Sequence, residues 1–253
     1  MINIRYAVLI VVVIAAAGGV FSLPPIPQDL AYHAFADRRT MAGIPNALNV
    51  LSNIPFLVAG GFGLAVLRIH GARMEPWLKG AYAALFSGTA LTGLGSAYYH
   101  LAPDNARLLW DRLPMTIGFM GLLTAMIGER VSVRAARWLF VPLLALGAVS
   151  VAFWAWTEGQ GAGDLRLYGL VQFGSLAVVL LLLALYRATQ LGTVYLFAGL
   201  GAYAVAKVFE ALDAQTYALG QIVSGHTLKH VAAAVGLAFI AAMVRHRGRG
   251  TAC

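Results

Sequence analysis

The sequence predicts an all-α, polytopic membrane protein, a seven-helix transmembrane bundle preceded by one extra hydrophobic helix. Three observations carry that reading. Of the 253 residues, 60% are hydrophobic and only 11% charged, against about a quarter charged in soluble domains. Mean hydropathy is +0.77. Eight apolar stretches each approach the roughly 20 residues a helix needs to cross a bilayer, and the loops between them are short.

The stretches fall at roughly residues 6–23, 46–68, 77–101, 108–128, 136–156, 166–186, 193–212 and 222–244. The first, in "MINIRYAVLIVVVIAAAGGVFS", has a short basic start, an apolar run and small residues after it. It reads equally as a signal peptide or as an uncleaved anchor. The polar, proline-rich segment from Leu23 to Pro45 is the longest loop. The third stretch ends at Pro103 and Asp104, and the fourth opens with "LLWDRLPM". The chain thus divides into an anchor or signal peptide (1–23), a seven-helix domain (24–247) and a cytoplasmic tail (248–253).

Charge placement fixes the expected orientation. One set of loops carries Arg68, Arg73 and Lys79, then Arg130, Arg134 and Arg137, then Arg187, and finally Arg245, Arg247 and Arg249. The opposite set holds Glu158, Asp164, Glu210 and Asp213 with fewer cations. Cytoplasmic loops are the basic ones, so the C-terminus is expected in the cytoplasm of an inner or plasma membrane protein. The net charge of +8 is spent on topology and anionic lipid, not on nucleic acid. Cys253 is the single cysteine, so there is no internal disulfide and no thiolate metal site.

Polar side chains inside spans are costly and usually functional. His100, His226 and His230 lie in or at the edge of spans, whereas His33, His70 and His246 read as surface residues. Ser96 and His100 are four apart and share a helix face, as do His226 and His230. The short connection after His100 keeps its helix antiparallel to the one bearing Asp111. With alternating spans, His100, Asp111, His226 and His230 fall at one depth, on the extracytoplasmic side. Three imidazoles without thiolate suit zinc with an open coordination position for water. Asp111 has the type for a general base, and Ser96 the type for an oxyanion donor. Taken singly, Asp111 also suits an interfacial cap or a partner for Arg112 or Lys229. Lys229 suits snorkelling or pairing with an acid.

An SxxxH closing one span, an Asp eleven residues after that His, and an HxxxH in the last span resemble the alkaline ceramidase family. That family sits in a superfamily of seven-helix membrane proteins with the adiponectin-receptor and haemolysin III proteins. "GIPNALNVLSNIPF" resembles the signature of its first core helix, and the similarity runs over roughly residues 30–245. The resemblance implies zinc on His100, His226 and His230, activation of water by Asp111 and oxyanion assistance by Ser96. It implies hydrolysis of the amide bond of a ceramide-like or other N-acyl lipid. Animal members also bind calcium through an acidic cluster. Here Asp37 is present but Asn46 stands where a glutamate is expected, which puts Ca2+ in doubt because calcium takes several oxygen ligands. Two rival readings remain at this level, a non-catalytic receptor or transport-type bundle with structural zinc, and a b-type haem protein.

Overall fold

The computed structural model describes residues 4–187 and 192–250. Eight long helices account for most of them. These are α1 (Ile4–Ser22), α2 (Ala47–His70), α3 (Pro76–Leu101) and α4 (Asn105–Arg130). They continue with α5 (Val133–Gly159), α6 (Arg166–Leu185), α7 (Thr193–Ala211) and α8 (Gly225–Gly250). Among the described residues no strand occurs, and the eight expected stretches map one to one onto the eight helices. The protein is an all-α polytopic membrane bundle.

Six of the helices are long and apolar enough to cross a membrane; α3 and α4 fall short on apolarity. The reason is their place in the bundle. They pack most extensively against each other, and α4 also packs on α5 and α6. Facing protein more than lipid, they can carry Thr89, Thr92, Ser96, Arg112, Thr116 and Thr124 buried. Three of those hydroxyls bond back to their own helix, Thr89 to Leu85 O, Thr92 to Gly88 O and Thr124 to Met120 O, each at 2.8 Å, which satisfies them without water. The lipid-facing extreme is α1, which has no buried residue. It packs on α6, and Arg166 of α6 donates to the Leu23 carbonyl at its end.

Two prolines shape the helices around the site. Pro55 has no N–H to donate to Leu51 O, and α2 breaks at Ser52 and Asn53 into Ala47–Leu51 and Ile54–His70. Pro114, inside α4, likewise leaves the Trp110 carbonyl without its helical partner. Gly95 of α3 lies against that carbonyl so closely that a methyl group would collide with it. The proline of one helix and the glycine of the other thus bring α3 and α4 together at the level of Ser96 and Asp111. Small residues at the contact are what permit such close approach in membranes.

A third irregularity is a π-helical stretch, Leu170–Gly174, within α6. It turns Gln172 inward, where its amide donates to the Tyr203 hydroxyl of α7 at 3.1 Å. Between α7 and α8 a short helix, Asp213–Ala218, leads into the last span.

One group of cations gathers at one end. Arg68 lies near the end of α2, Lys79 near the start of α3 and Arg130 at the end of α4. Arg134 and Arg137 open α5, and Arg245 and Arg247 lie in the final turns of α8. His100 and His226 lie at the opposite end, in the last turn of α3 and the first of α8.

Candidate metal centre

His100, His226 and His230 converge. Their ring centroids form a near-equilateral triangle, 4.8, 4.9 and 5.0 Å apart, and one nitrogen of each lies within 4.8 Å of the others. All three side chains are buried. His100 Nε2 and His226 Nε2 stand 3.2 Å apart. In tetrahedral zinc with Zn–N of about 2.0–2.1 Å, neighbouring nitrogens would stand about 3.3 Å apart. Three neutral-donor imidazoles with no competing thiolate therefore fit a divalent zinc.

Each histidine is held by a different device. His100 closes α3, where its backbone carbonyl accepts from Asn46 Nδ2 at 2.9 Å. Asn46 adopts left-handed backbone, φ 49°, at the start of α2. The His226 backbone N–H donates to Asp213 Oδ1 at 2.7 Å. Asp213 Oδ2 accepts from Ala36 N at 2.9 Å, so one carboxylate ties the N-terminus of α8 to the loop between α1 and α2, and its negative charge suits the helix dipole.

His230 Nδ1 lies 2.8 Å from Ser52 Oγ, at the break in α2. The Ser52 hydroxyl also reaches Asn49 O at 3.1 Å. With its proton given there, Ser52 accepts from His230, the arrangement that keeps the proton on Nδ1 and leaves the Nε2 lone pair free for a metal. Asn49 extends the support, since its Oδ1 accepts from Thr227 Oγ1 at 2.9 Å.

The loop between α1 and α2 covers the cluster. The Phe35 ring lies 4.7 Å from His100 and 4.3 Å from His226 between centroids, shielding it from the loop side. His33, read from sequence as a surface residue, is half-buried. It bonds Tyr99 Oη at 2.8 Å and Asn105 Oδ1 at 2.9 Å, joining the loop to α3 and α4.

On the inner side of the cluster lies a cavity of about 710 Å³, whose wall includes His230, Ser96 and Asp111. Ser96 is within hydrogen-bonding reach of the Asp111 carboxylate. Below them the walls are apolar and come from α3, α4, α6, α7 and α8, down to Leu85, Leu122, Val179 and Ile240. Lys229 pairs with Glu210 at 2.8 Å. The expected site residues are thus all brought together. Ser52, Phe35 and Asp213 are the supports that the sequence reading did not single out.

A family model described as ceramidase matches residues 39–247. No curated protein and no solved structure matches the chain. The matched region begins after α1 and takes in all seven helices that follow.

Purified protein should carry about one zinc per chain. Elemental analysis should find it lost in His226→Ala and in His230→Ala. Chelator competition should find its affinity weakened about 10–100-fold in Ser52→Ala, the usual effect of removing a partner that orients a ligand. Undiminished zinc in the His226/His230 double variant would contradict the site.

Proposed function

Because the chain belongs to the ceramidase family, we propose that it is a zinc-dependent intramembrane hydrolase that cleaves the amide bond of a ceramide-like or other N-acyl lipid. The observation that carries this reading is the presence, in one cavity wall, of a carboxylate, a hydroxyl and His230, one imidazole of the buried cluster. A lipid amide hydrolase needs a place for the chain as well. From His230 to Ile240 the cavity follows ten residues of α8, about 15 Å at helical rise, along walls that are apolar below the site.

Zinc held by His100, His226 and His230 would supply Lewis acidity and lower the pKa of water towards about 7. Asp111 takes a proton from the attacking water and returns it to the departing amine nitrogen, as a general acid–base group does. Ser96 donates its hydroxyl hydrogen to the amide oxygen as negative charge builds there. Phe35 keeps bulk water off the imidazoles. Addition of water and scission of the C–N bond give a fatty acid and an amine. The lipid enters from the bilayer, its chains between helices.

Calcium has no place in this proposal. The one carboxylate offered for it, Asp37, is engaged by Arg39 through two hydrogen bonds, 2.9 Å at Oδ1 and 2.7 Å at Oδ2. The guanidinium holds that carboxyl below its usual range, and Arg39 Nη2 also reaches the Ile222 carbonyl at 2.7 Å. An internal cation thus closes the loop onto the segment before α8.

Asp111→Asn should keep metal and fold yet lose at least about a hundredfold in turnover of an N-acyl lipid. Ser96→Ala should cost about 10²–10³-fold or less. If wild type releases no fatty acid from any N-acyl lipid while both variants bind zinc and lipid as it does, the non-catalytic receptor reading replaces the hydrolase.

We also propose that the basic end of the bundle faces the cytoplasm and the imidazole cluster the opposite side, from the bias of cations to cytoplasmic loops. A reporter fused after Arg249 should behave as cytoplasmic, and a tag at Asp104 should be labelled from outside. The reverse pattern would overturn this orientation.

A further inference from the structure

The polar end of the cavity contains cations for which hydrolysis has no use. Arg112, Lys207 and Lys229 all line it. Arg112 follows Asp111 in α4 and is 5% exposed. Its guanidinium lies among the rings of Trp154, Tyr168 and Tyr32, at 4.4, 4.7 and 5.7 Å. Its Nη2 donates to Gln28 Oε1 at 2.6 Å, and its Nη1 is buried without a hydrogen-bond partner. Among the described residues no carboxylate lies within ion-pair distance of it.

A guanidinium does not shed its proton to escape burial, so a buried one without an anion is a standing cost. Aromatic faces attract it only in part. Lys207 and Lys229 meet at a single acid, Glu210, which pairs with both. That trio carries one positive charge in excess. The two other acids on the wall, Asp111 and Asp29, form no ion pair with these cations. Asp111 accepts from Ser96 while Lys229 and Arg112 act on it only at longer range, and Asp29 Oδ1 accepts from Ala31 N at 2.8 Å.

We propose that this end of the cavity receives an acidic group, a carboxylate or a phosphate, on the head of the lipid, and that the protein prefers N-acyl lipids with anionic heads over neutral ones. The inference rests on the lipid-hydrolase reading above and names its substrate class. Arg112 supplies a planar donor fork suited to either oxyanion. Lys207 and Lys229 add positive charge from α7 and α8, across the cavity from α4. The apolar length below takes the acyl chain.

The test uses the full-length protein in lipid nanodiscs with three N-palmitoyl lipids, a ceramide, a ceramide 1-phosphate and N-palmitoylglycine. In wild type, kcat/KM for at least one anionic lipid should exceed that for the ceramide by about tenfold or more. Which anionic lipid leads decides between phosphate and carboxylate. The anionic-to-neutral ratio should fall about tenfold in Arg112→Gln, with the loss mainly in KM. Lys207→Met, at a partly exposed side chain, should lower it in the same direction and keeps the test alive if Arg112→Gln does not fold.

Binding is read separately on Asp111→Asn protein, slow enough to hold its lipid. Anionic lipids should raise its Tm more than the ceramide does, and the added Arg112→Gln change should remove that difference. Equal or better use of the ceramide, or variants that leave the ratio and the Tm difference unchanged, would overturn the inference and leave the hydrolase standing. If wild type cleaves none of the three lipids, the hydrolase reading fails instead, and the Tm comparison still decides whether the head is anionic.

Discussion

Three imidazoles buried side by side at one end of a membrane bundle set the terms for everything around them. Their nitrogens cannot be satisfied by bulk water, and two of them, His100 Nε2 and His226 Nε2, face each other at 3.2 Å. A divalent cation would resolve that confrontation by accepting lone pairs from all three. The surrounding structure then reads as support for that arrangement. Asn46 holds the end of α3, Asp213 the start of α8, and Ser52 the ring of His230. Phe35 roofs the cluster.

Backbone irregularity serves the same end. The break at Ser52 and Asn53, ahead of Pro55, leaves the Ser52 hydroxyl in reach of both Asn49 O in its own turn and His230 of α8. Pro114 frees the Trp110 carbonyl, and Gly95 lets α3 come against it, which sets Ser96 beside Asp111. Prolines in membrane helices are tolerated where neighbouring groups take up the freed backbone. Here they also position side chains.

Much of this was legible in the sequence because the signals were local. Apolar runs of bilayer length gave all eight helices, including α3 and α4, whose polar residues lower their apolarity. The four-residue spacing of Ser96 with His100 and of His226 with His230, combined with alternating span direction, assembled the site at one depth. What stayed hidden depends on contacts across the bundle. No local pattern tells a buried Ser52 from any other helical serine, or a loop Phe35 from a lipid-facing one. His33 looked superficial because its partners, Tyr99 and Asn105, are distant in sequence. Arg112, Lys207 and Lys229 sit on three helices, and only the fold reveals that they share a wall.

X-ray absorption at the zinc edge, on protein purified without added metal, tests the central claim most directly. The account predicts one zinc per chain with a shell of three imidazole nitrogens at about 2.0–2.1 Å and no sulfur. A zinc-free protein carrying the visible absorption of a bis-histidine haem, or zinc whose spectrum is unchanged in His100→Ala, would contradict it.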